Sequence, residues 1–514
     1  MVTSVITAQS RFQTLFGPQR EEKSVPRSYL SRLFVLGLTL LAAASCGGDS
    51  TQPQELPKVP ITTTSNEALS SYIEGRSLFE NVRLTEANLH FQAAVEADPS
   101  FAAGWLMVAA TSATAPDFFA ALRTAIAEID GASEGERLRI EAFQANVNGE
   151  TDVERTSLEA LVAAYPGDER ALSDLGIFLA GQQEYRPAIR AYQAAIAINP
   201  SFPPPYNQLG YALRTVGDFE GAERAFLRYA ELVPDQPNPY DSYGELLMKI
   251  GRFDESIAAY EKALTIDPEF VASYVGIGNN LIFMGRADEA RTNFSRLGQV
   301  ARTPGERRLA CTWAAASYLH ENNFDAAITE VQRRYEIAAE TDDLFAMSAD
   351  QNMMGDILLA GGRADQAIER YQKSIDLMKG SDATDDIKQA IARNTAFDFA
   401  RAALAKAQLV TATKLAESYR EAVAEFEIRG EVQQSHELTG MLAIARGDFE
   451  TALWELAHAN QENPRVMLLT GRAFELAGDK EAARQATAQV VDFNEINLNL
   501  AYVRNSAIEF IDNL

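Results

Sequence analysis

The sequence contains few of the side chains on which metal sites, disulfide frameworks and acid–base catalysis depend. Its 514 residues include only two cysteines, Cys46 and Cys311, and four histidines. Two cysteines are too few for a disulfide framework or a thiolate zinc cluster. The histidines, of which no two are three or four residues apart, are His90, His320, His436 and His458. We therefore expect no metal site and no cofactor.

Basic residues are also scarce. Lys and Arg number 46 against 72 Asp and Glu, which gives a formal net charge of -26. Such a surface repels nucleic acid, so we expect no nucleic-acid partner. The sequence also lacks the glycine-rich loops that bind nucleotides and the GxSxG turn that presents a catalytic serine. Together with the scarcity of histidine, these absences predict a protein that is not an enzyme.

Near its start the chain has one short apolar run. Residues 33–45, LFVLGLTLLAAAS, follow Arg27 and Arg32 and end directly before Cys46. A charged segment, an apolar run and small residues ahead of a cysteine resemble the signal peptide of bacterial lipoproteins. The resemblance implies cleavage after residue 45 and a lipid on Cys46. Gly47, in place of an aspartate, implies the outer membrane and a periplasm-facing protein.

Two alternatives for this N-terminal segment stay open. It is also compatible with an ordinary signal peptide and an incidental cysteine, or with a cytoplasmic protein whose apolar run has another role. Residues 1–26 are a long extension for such a signal, which fits a start site assigned too early. Residues 46–66 are polar and contain three prolines, a composition that predicts a flexible tether.

From residue 67 onward the sequence repeats itself with a period of 34 residues. Three prolines, Pro200, Pro234 and Pro268, have this spacing. Glycines and large aromatic residues follow the same period: Gly176, Gly210, Gly244 and Gly278, then Tyr192, Phe226, Tyr260 and Phe294. A repeat of this length usually denotes one supersecondary unit that stacks on its neighbours.

The pattern resembles the tetratricopeptide repeat, in which each repeat is a pair of antiparallel helices. The resemblance implies an all-α chain, a right-handed α-solenoid (superhelix) of about twelve repeats, which exceeds one superhelical turn. Residues 67–300 form the regular part, 301–430 a divergent part, and 431–514 the last repeats with a capping helix from 498. We expect glycines 217, 251 and 285 to end the first helix of their repeats in a left-handed conformation.

In this family the first helix of each repeat lines a concave groove. The positions that the resemblance assigns to partner binding are Asn207, Tyr211, Arg214, Asp241, Glu245 and Asn279. The acidic pair at 241 and 245 favours a partner with basic segments. We therefore expect a non-catalytic interaction scaffold, lipid-anchored in the bacterial cell envelope, that binds envelope proteins or peptides. The alternatives are an enzyme accessory or ligand-binding component with its site in 301–430, and a cytoplasmic regulator built of the same repeats.

Overall fold

The computed structural model describes residues 56–426 and 428–514, and its regular elements are helical throughout this part of the chain. The expected signal peptide and Cys46 lie outside the described residues. The helices of the first seven pairs are α1 Asn66–Glu80, α2 Leu84–Ala97, α3 Ala102–Thr111, α4 Ala115–Ala127, α5 Glu134–Asn148, α6 Thr151–Ala164, α7 Glu169–Gly181, α8 Tyr185–Ile198, α9 Pro204–Thr215, α10 Phe219–Leu232, α11 Asn238–Lys249, α12 Phe253–Ile266, α13 Val271–Phe283 and α14 Ala287–Val300. A short 3₁₀ turn, Ile129–Gly131, lies between α4 and α5.

The remaining helices continue the same alternation. They are α15 Pro304–Leu319, α16 Phe324–Ala339, α17 Leu344–Ala360, α18 Ala364–Gly380, α19 Asp385–Ala405, α20 Leu409–Phe426, α21 Arg429–Arg446, α22 Phe449–His458, α23 Pro464–Leu476, α24 Lys480–Val491 and α25 Leu498–Asn513. Helices α1 to α24 form twelve successive pairs, so the expected α-solenoid of about twelve helix pairs is confirmed. Helix α25 packs on α23 and α24.

The contact between the two helices of each pair explains why glycines and aromatic residues recur with the same period. A Cβ atom added to Gly278 on α13 would lie 2.1 Å from the ring of Phe294 on α14, and one added to Gly176 would lie 2.4 Å from Tyr192. Phe294 and Tyr192 are each 1% exposed. The glycine therefore lets the aromatic ring of the second helix rest directly on the backbone of the first, which buries the ring completely.

Turns within the pairs follow the expected chemistry. Gly217, Gly251 and Gly285 have φ angles of 83°, 77° and 76°, which place them in the left-handed region. Each directly follows the residue that caps the first helix of its pair, as expected. In the divergent part the helices lengthen, because α15 to α20 contain 16 to 21 residues. This extra length accounts for the loss of the 34-residue period after residue 300.

Successive superhelical turns contact each other. At one junction Arg302, between α14 and α15, forms an ion pair with Glu86 on α2, with an Nη1–Oε1 distance of 3.2 Å. At another, the ring of Phe119 on α4 lies 6.4 Å from that of Phe345 on α17. Helices that are six to seven pairs apart in sequence thus meet, and the apolar part of this junction is continuous with the core of the first two pairs.

The last pairs also pack against the middle of the chain. The Tyr185 hydroxyl on α8 donates to Glu462, before α23, over 2.7 Å, and Lys249 at the end of α11 is 2.7 Å from Glu495, before α25. Helix α25 adds apolar contacts to α15 through the cluster that includes Ala501. Pairs 4 to 8 are therefore partly covered by the C-terminal part of the same chain.

Residues 56–65 correct the extent of the expected tether. They have no helix, yet the Val59 backbone N–H donates to Asp168 Oδ2 over 2.9 Å, and Lys58 Nζ is 2.6 Å from Glu169. Further along, the Thr62 backbone N–H donates to Glu136 Oε1 over 2.9 Å. This segment is held along α5 and α7 by hydrogen bonds to buried carboxylates. Residues 46–55, the rest of the predicted tether, lie outside the described residues.

Candidate binding surface

The six residues assigned to the groove lie on α9, α11 and α13, but most are not at an open surface. The exposed fractions of Asn207, Asp241, Glu245 and Asn279 are 3%, 4%, 6% and 2%. Asp241 accepts a hydrogen bond from the Ser273 hydroxyl over 2.7 Å. The prediction that these four side chains face an accessible groove is therefore wrong, because the packing of the array buries them.

The negative charge of the acidic pair, Asp241 and Glu245, is also reduced by interactions within the chain. Arg214 Nη1 is 3.3 Å from Glu245 Oε2, and Arg214 Nη2 is 3.9 Å from Glu495. Burial, followed by the nearby Glu245, raises the pKa of Asp241 to about 7. With one carboxylate paired to a guanidinium and the other partly protonated near neutral pH, this region holds little free negative charge for a basic partner.

Tyr211 and Arg214, the other two predicted residues, are partly buried. The Tyr211 hydroxyl lies 3.1 Å from the Ser242 hydroxyl, and its ring meets Phe226 edge to face at 5.2 Å. The guanidinium of Arg214 lies over the Tyr211 ring, 5.0 Å from its centroid. These contacts hold Tyr211 in place within the first-helix layer.

A second charged cluster lies on the first helices of pairs 9 to 12, which contact one another in succession. On α19, Arg401 Nη1 is 2.9 Å from Asp398 Oδ1 and 2.9 Å from Asp356 Oδ1 on α17. Asn352 donates to the other oxygen of Asp398 over 2.8 Å, and the Tyr371 hydroxyl donates to Asp356 over 3.1 Å. The exposed fractions of the Asp356, Asp398 and Arg401 side chains are 21%, 10% and 12%. We call the group formed by Asp356, Asp398, Arg401, Glu437 and Arg465 the acidic cluster.

The pKa shifts differ among the three carboxyl groups of the acidic cluster. Against the effect of burial, Arg401 and Arg465 hold the pKa of Asp356 below its usual range. Burial and the neighbouring Asp356 raise the pKa of Asp398 to about 7. Burial also raises the pKa of Glu437, although Arg401 and Arg465 act in the opposite direction.

Glu437, on α21, is the unusual member. It is 4% exposed, and within the described residues its carboxylate has no hydrogen bond or ion pair at contact distance. A buried carboxylate without such a partner is costly in its charged form. Counting the whole cluster, three carboxyl groups stand against two guanidinium groups, which leaves an excess of one negative charge when all are ionised. Asp398, with a pKa of about 7, is partly protonated near neutral pH, so the full excess charge develops only above that pH. A cationic group placed beside the cluster would favour the ionised forms of Asp398 and Glu437.

Sequence reasoning missed this cluster because the 34-residue period fails between 300 and 430, so first-helix positions could not be read from it. A sequence signal did exist, since Asp398 and Arg401 are three residues apart on one helix face. Cys311, half-buried on α15, has a pKa raised by burial, which disfavours the reactive thiolate. Across the described residues, no three or more His, Cys, Asp or Glu side chains are placed to hold a metal ion. In the same part of the chain, no helix combines the length and apolar character needed to span a bilayer.

Comparison with known proteins supports the repeat interpretation. Family models described as tetratricopeptide repeat match residues 238–270, which include α11 and α12, and residues 437–494, which include α22 to α24. A search of curated proteins returned no match.

Some solved structures resemble parts of the chain at low sequence identity. A tetratricopeptide repeat protein from Parabacteroides merdae is 15% identical, with 51% of this chain and 98% of that chain covered and a TM-score of 0.34. A thermophilic TPR protein of Thermus thermophilus is 18% identical, with 37% and 99% covered and a TM-score of 0.31. The MamA protein is 23% identical, with 32% and 89% covered and a TM-score of 0.27. The chain thus contains tetratricopeptide repeats in at least two segments and forms an α-solenoid across its described residues.

Proposed function

We propose that this chain is a non-catalytic protein-interaction scaffold, anchored by a lipid on Cys46 in the bacterial envelope and facing the periplasm from the outer membrane. The observation that carries the scaffold proposal is the architecture itself: twelve stacked helix pairs that include two segments matching tetratricopeptide repeats. Such arrays offer extended surfaces rather than enclosed reaction sites. The family is generally non-catalytic, which supports the same interpretation.

The acidic cluster supports a more specific proposal, that the partner is an envelope protein or peptide that presents a basic side chain. Its excess negative charge lies beside Asp356, whose side chain is 21% exposed, so a lysine or arginine of a partner has a route to it. A cationic group placed there would relieve the unpaired charge of Glu437. We do not assign partner binding to Asp241 and Glu245, because hydrogen bonds and ion pairs within the chain already engage both carboxylates.

The partner proposal is tested by the affinity of the mature chain for lysine-containing peptides recovered from the envelope, measured by fluorescence anisotropy. Glu437→Gln keeps the shape of the side chain and removes its charge, so we expect weaker binding and a smaller dependence of affinity on salt. Glu220→Gln is the matched control, because the Glu220 side chain is 93% exposed. Equal affinities for wild type and both variants would show that the acidic cluster does not bind the partner.

The anchor proposal is tested separately. Cys46→Ala removes the proposed site of lipid attachment, and we expect the protein to move from the membrane fraction to the soluble periplasmic fraction. Metabolic labelling with a fatty acid should label the wild type and not the variant. Unchanged membrane retention of an unlabelled wild-type protein would contradict the lipid anchor without affecting the scaffold proposal.

A further inference from the structure

Two of the four histidines meet at the surface of the eleventh helix pair. His436 lies on α21 and His458 lies on α22, and the centroids of their imidazole rings are 5.4 Å apart. The ring of Trp454, which is 57% exposed, lies 4.2 Å from His458 and 5.9 Å from His436. The two histidines are 22 residues apart, so their approach is a product of the helix packing.

Hydrogen bonds determine which nitrogen of each imidazole is free. His436 Nδ1 is 2.6 Å from Glu455 Oε2, and His458 Nδ1 is 2.7 Å from the carbonyl oxygen of Trp454. A carboxylate and a carbonyl accept hydrogen bonds, so Nδ1 carries the hydrogen in both rings. In the neutral rings Nε2 then has an available lone pair, and neither Nε2 has a hydrogen-bond partner among the described residues. An imidazole with Nδ1–H bound to a carboxylate or carbonyl is the usual arrangement of a metal-ligating histidine.

The separation of the rings permits a shared ion when both Nε2 atoms face the space between them. With a metal–nitrogen distance of about 2.0–2.1 Å, the ion lies about 3.2 Å from the centroid of each ring. Two such rings at a tetrahedral angle have centroids about 5.2 Å apart. The observed separation of 5.4 Å is close to this value.

We propose that His436 and His458 form a surface site for a divalent transition metal ion, Cu²⁺, Ni²⁺ or Zn²⁺, bound through the two Nε2 atoms with water in the remaining positions. These ions favour imidazole ligands, and Cu²⁺ binds the most tightly of the three. Glu455 acts as a positioning residue, because its carboxylate is shared between His436 and Arg420. The positive charge of Arg420, 3.1 Å from Glu455, and the presence of two protein ligands limit the affinity. This proposal departs from the expectation of no metal partner and is independent of the scaffold proposal.

The position of Trp454 supplies a direct assay. The chain has three tryptophans, and a paramagnetic Cu²⁺ ion bound beside His458 would quench the emission of Trp454. We expect titration of the mature chain with Cu²⁺ to remove a saturable fraction of the fluorescence. A large excess of diamagnetic Zn²⁺ should restore this fraction by displacing Cu²⁺. His436→Gln and His458→Gln should each abolish the saturable quenching while leaving the circular dichroism spectrum unchanged.

Two further variants control the assay. His90→Gln changes a histidine on α2 and should quench as the wild type does. Trp454→Phe should lose the optical signal yet still bind one Cu²⁺ by isothermal titration calorimetry, which separates the reporter from the ligands. Identical saturable quenching in the wild type and both ligand variants would overturn the proposal, as would calorimetric binding that is unaffected by replacing either histidine.

Discussion

Replacement of Gly278 by alanine tests the packing rule on which the whole array depends. The added Cβ would lie 2.1 Å from the ring of Phe294, a distance that real Cβ atoms essentially never show. The ring is 1% exposed, so either helix α13 or helix α14 must move. Overpacking of a close-packed core typically costs about 1–3 kcal/mol, while replacing glycine by alanine inside a helix returns about 1 kcal/mol. Because the 2.1 Å approach is to a ring with no free space around it, the upper part of that range applies, about 2–3 kcal/mol, which leaves a net loss of about 1–2 kcal/mol in the free energy of unfolding.

The matched control is Gly298→Ala, on α14 of the same pair. Its added Cβ would approach the Cβ of Ala310 at 3.6 Å, an ordinary contact, so the gain in helix propensity should leave this variant as stable as the wild type or more so. Because long repeat arrays depart from two-state unfolding, the urea midpoint should be measured together with hydrogen exchange of the α13 and α14 amides. Equal stability of Gly278→Ala and wild type, or equal losses in the two variants, would refute the packing rule.

Three other changes have defined outcomes. The pKa of the Asp241 carboxyl is about 7 in the folded state, above the ordinary 3.8. Its stabilising contribution is therefore present below about pH 4 and is lost as the pH rises through 7. Asp241→Asn should flatten this part of the profile of urea midpoint against pH, and an unchanged profile would contradict the assigned pKa. Glu495→Lys should speed hydrogen exchange in α25, and adding Lys249→Glu should reverse part of the effect, whereas equal exchange in all forms would exclude this ion pair as a clamp. Thr62→Val should accelerate tryptic cleavage after Lys58, and unchanged cleavage would show that residues 56–65 are held by other contacts.

Sequence analysis predicted those features of the fold that depend on residues close together in the chain. The close contact of Gly278 with Phe294 and the left-handed turn at Gly285 follow from residues within one pair, so a 34-residue period predicts them. The number of pairs can also be predicted from the sequence, because each pair contains its own contact between two helices that are close in sequence.

The candidate site could not be read in this way because its determinants are distant in sequence. Asp241 is buried by Ser273 of the next pair, and Glu245 shares Arg214 with Glu495 from the other end of the chain. These contacts arise only when successive turns stack on one another. Local composition therefore indicated charge at positions 241 and 245 but not its internal neutralisation.

The same reason explains the features that sequence analysis missed. His436 and His458 come together because α21 and α22 fold back on each other, and a search for pairs three or four residues apart does not detect them. Glu437 belongs to a part of the chain in which longer helices break the period. Residues 56–65 have the polar, proline-containing composition of a tether, yet buried carboxylates on α5 and at the residue directly before α7 provide partners for their backbone.

The central claim, that the chain acts as a scaffold through the acidic cluster, is tested most directly by chemical crosslinking in intact envelopes followed by affinity capture and mass spectrometry. Wild type, Glu437→Gln and Glu220→Gln should be compared at equal abundance. We predict a small set of proteins that is captured by the wild type and by Glu220→Gln and is depleted with Glu437→Gln. The same proteins recovered with all three forms, or none recovered with any, would contradict it.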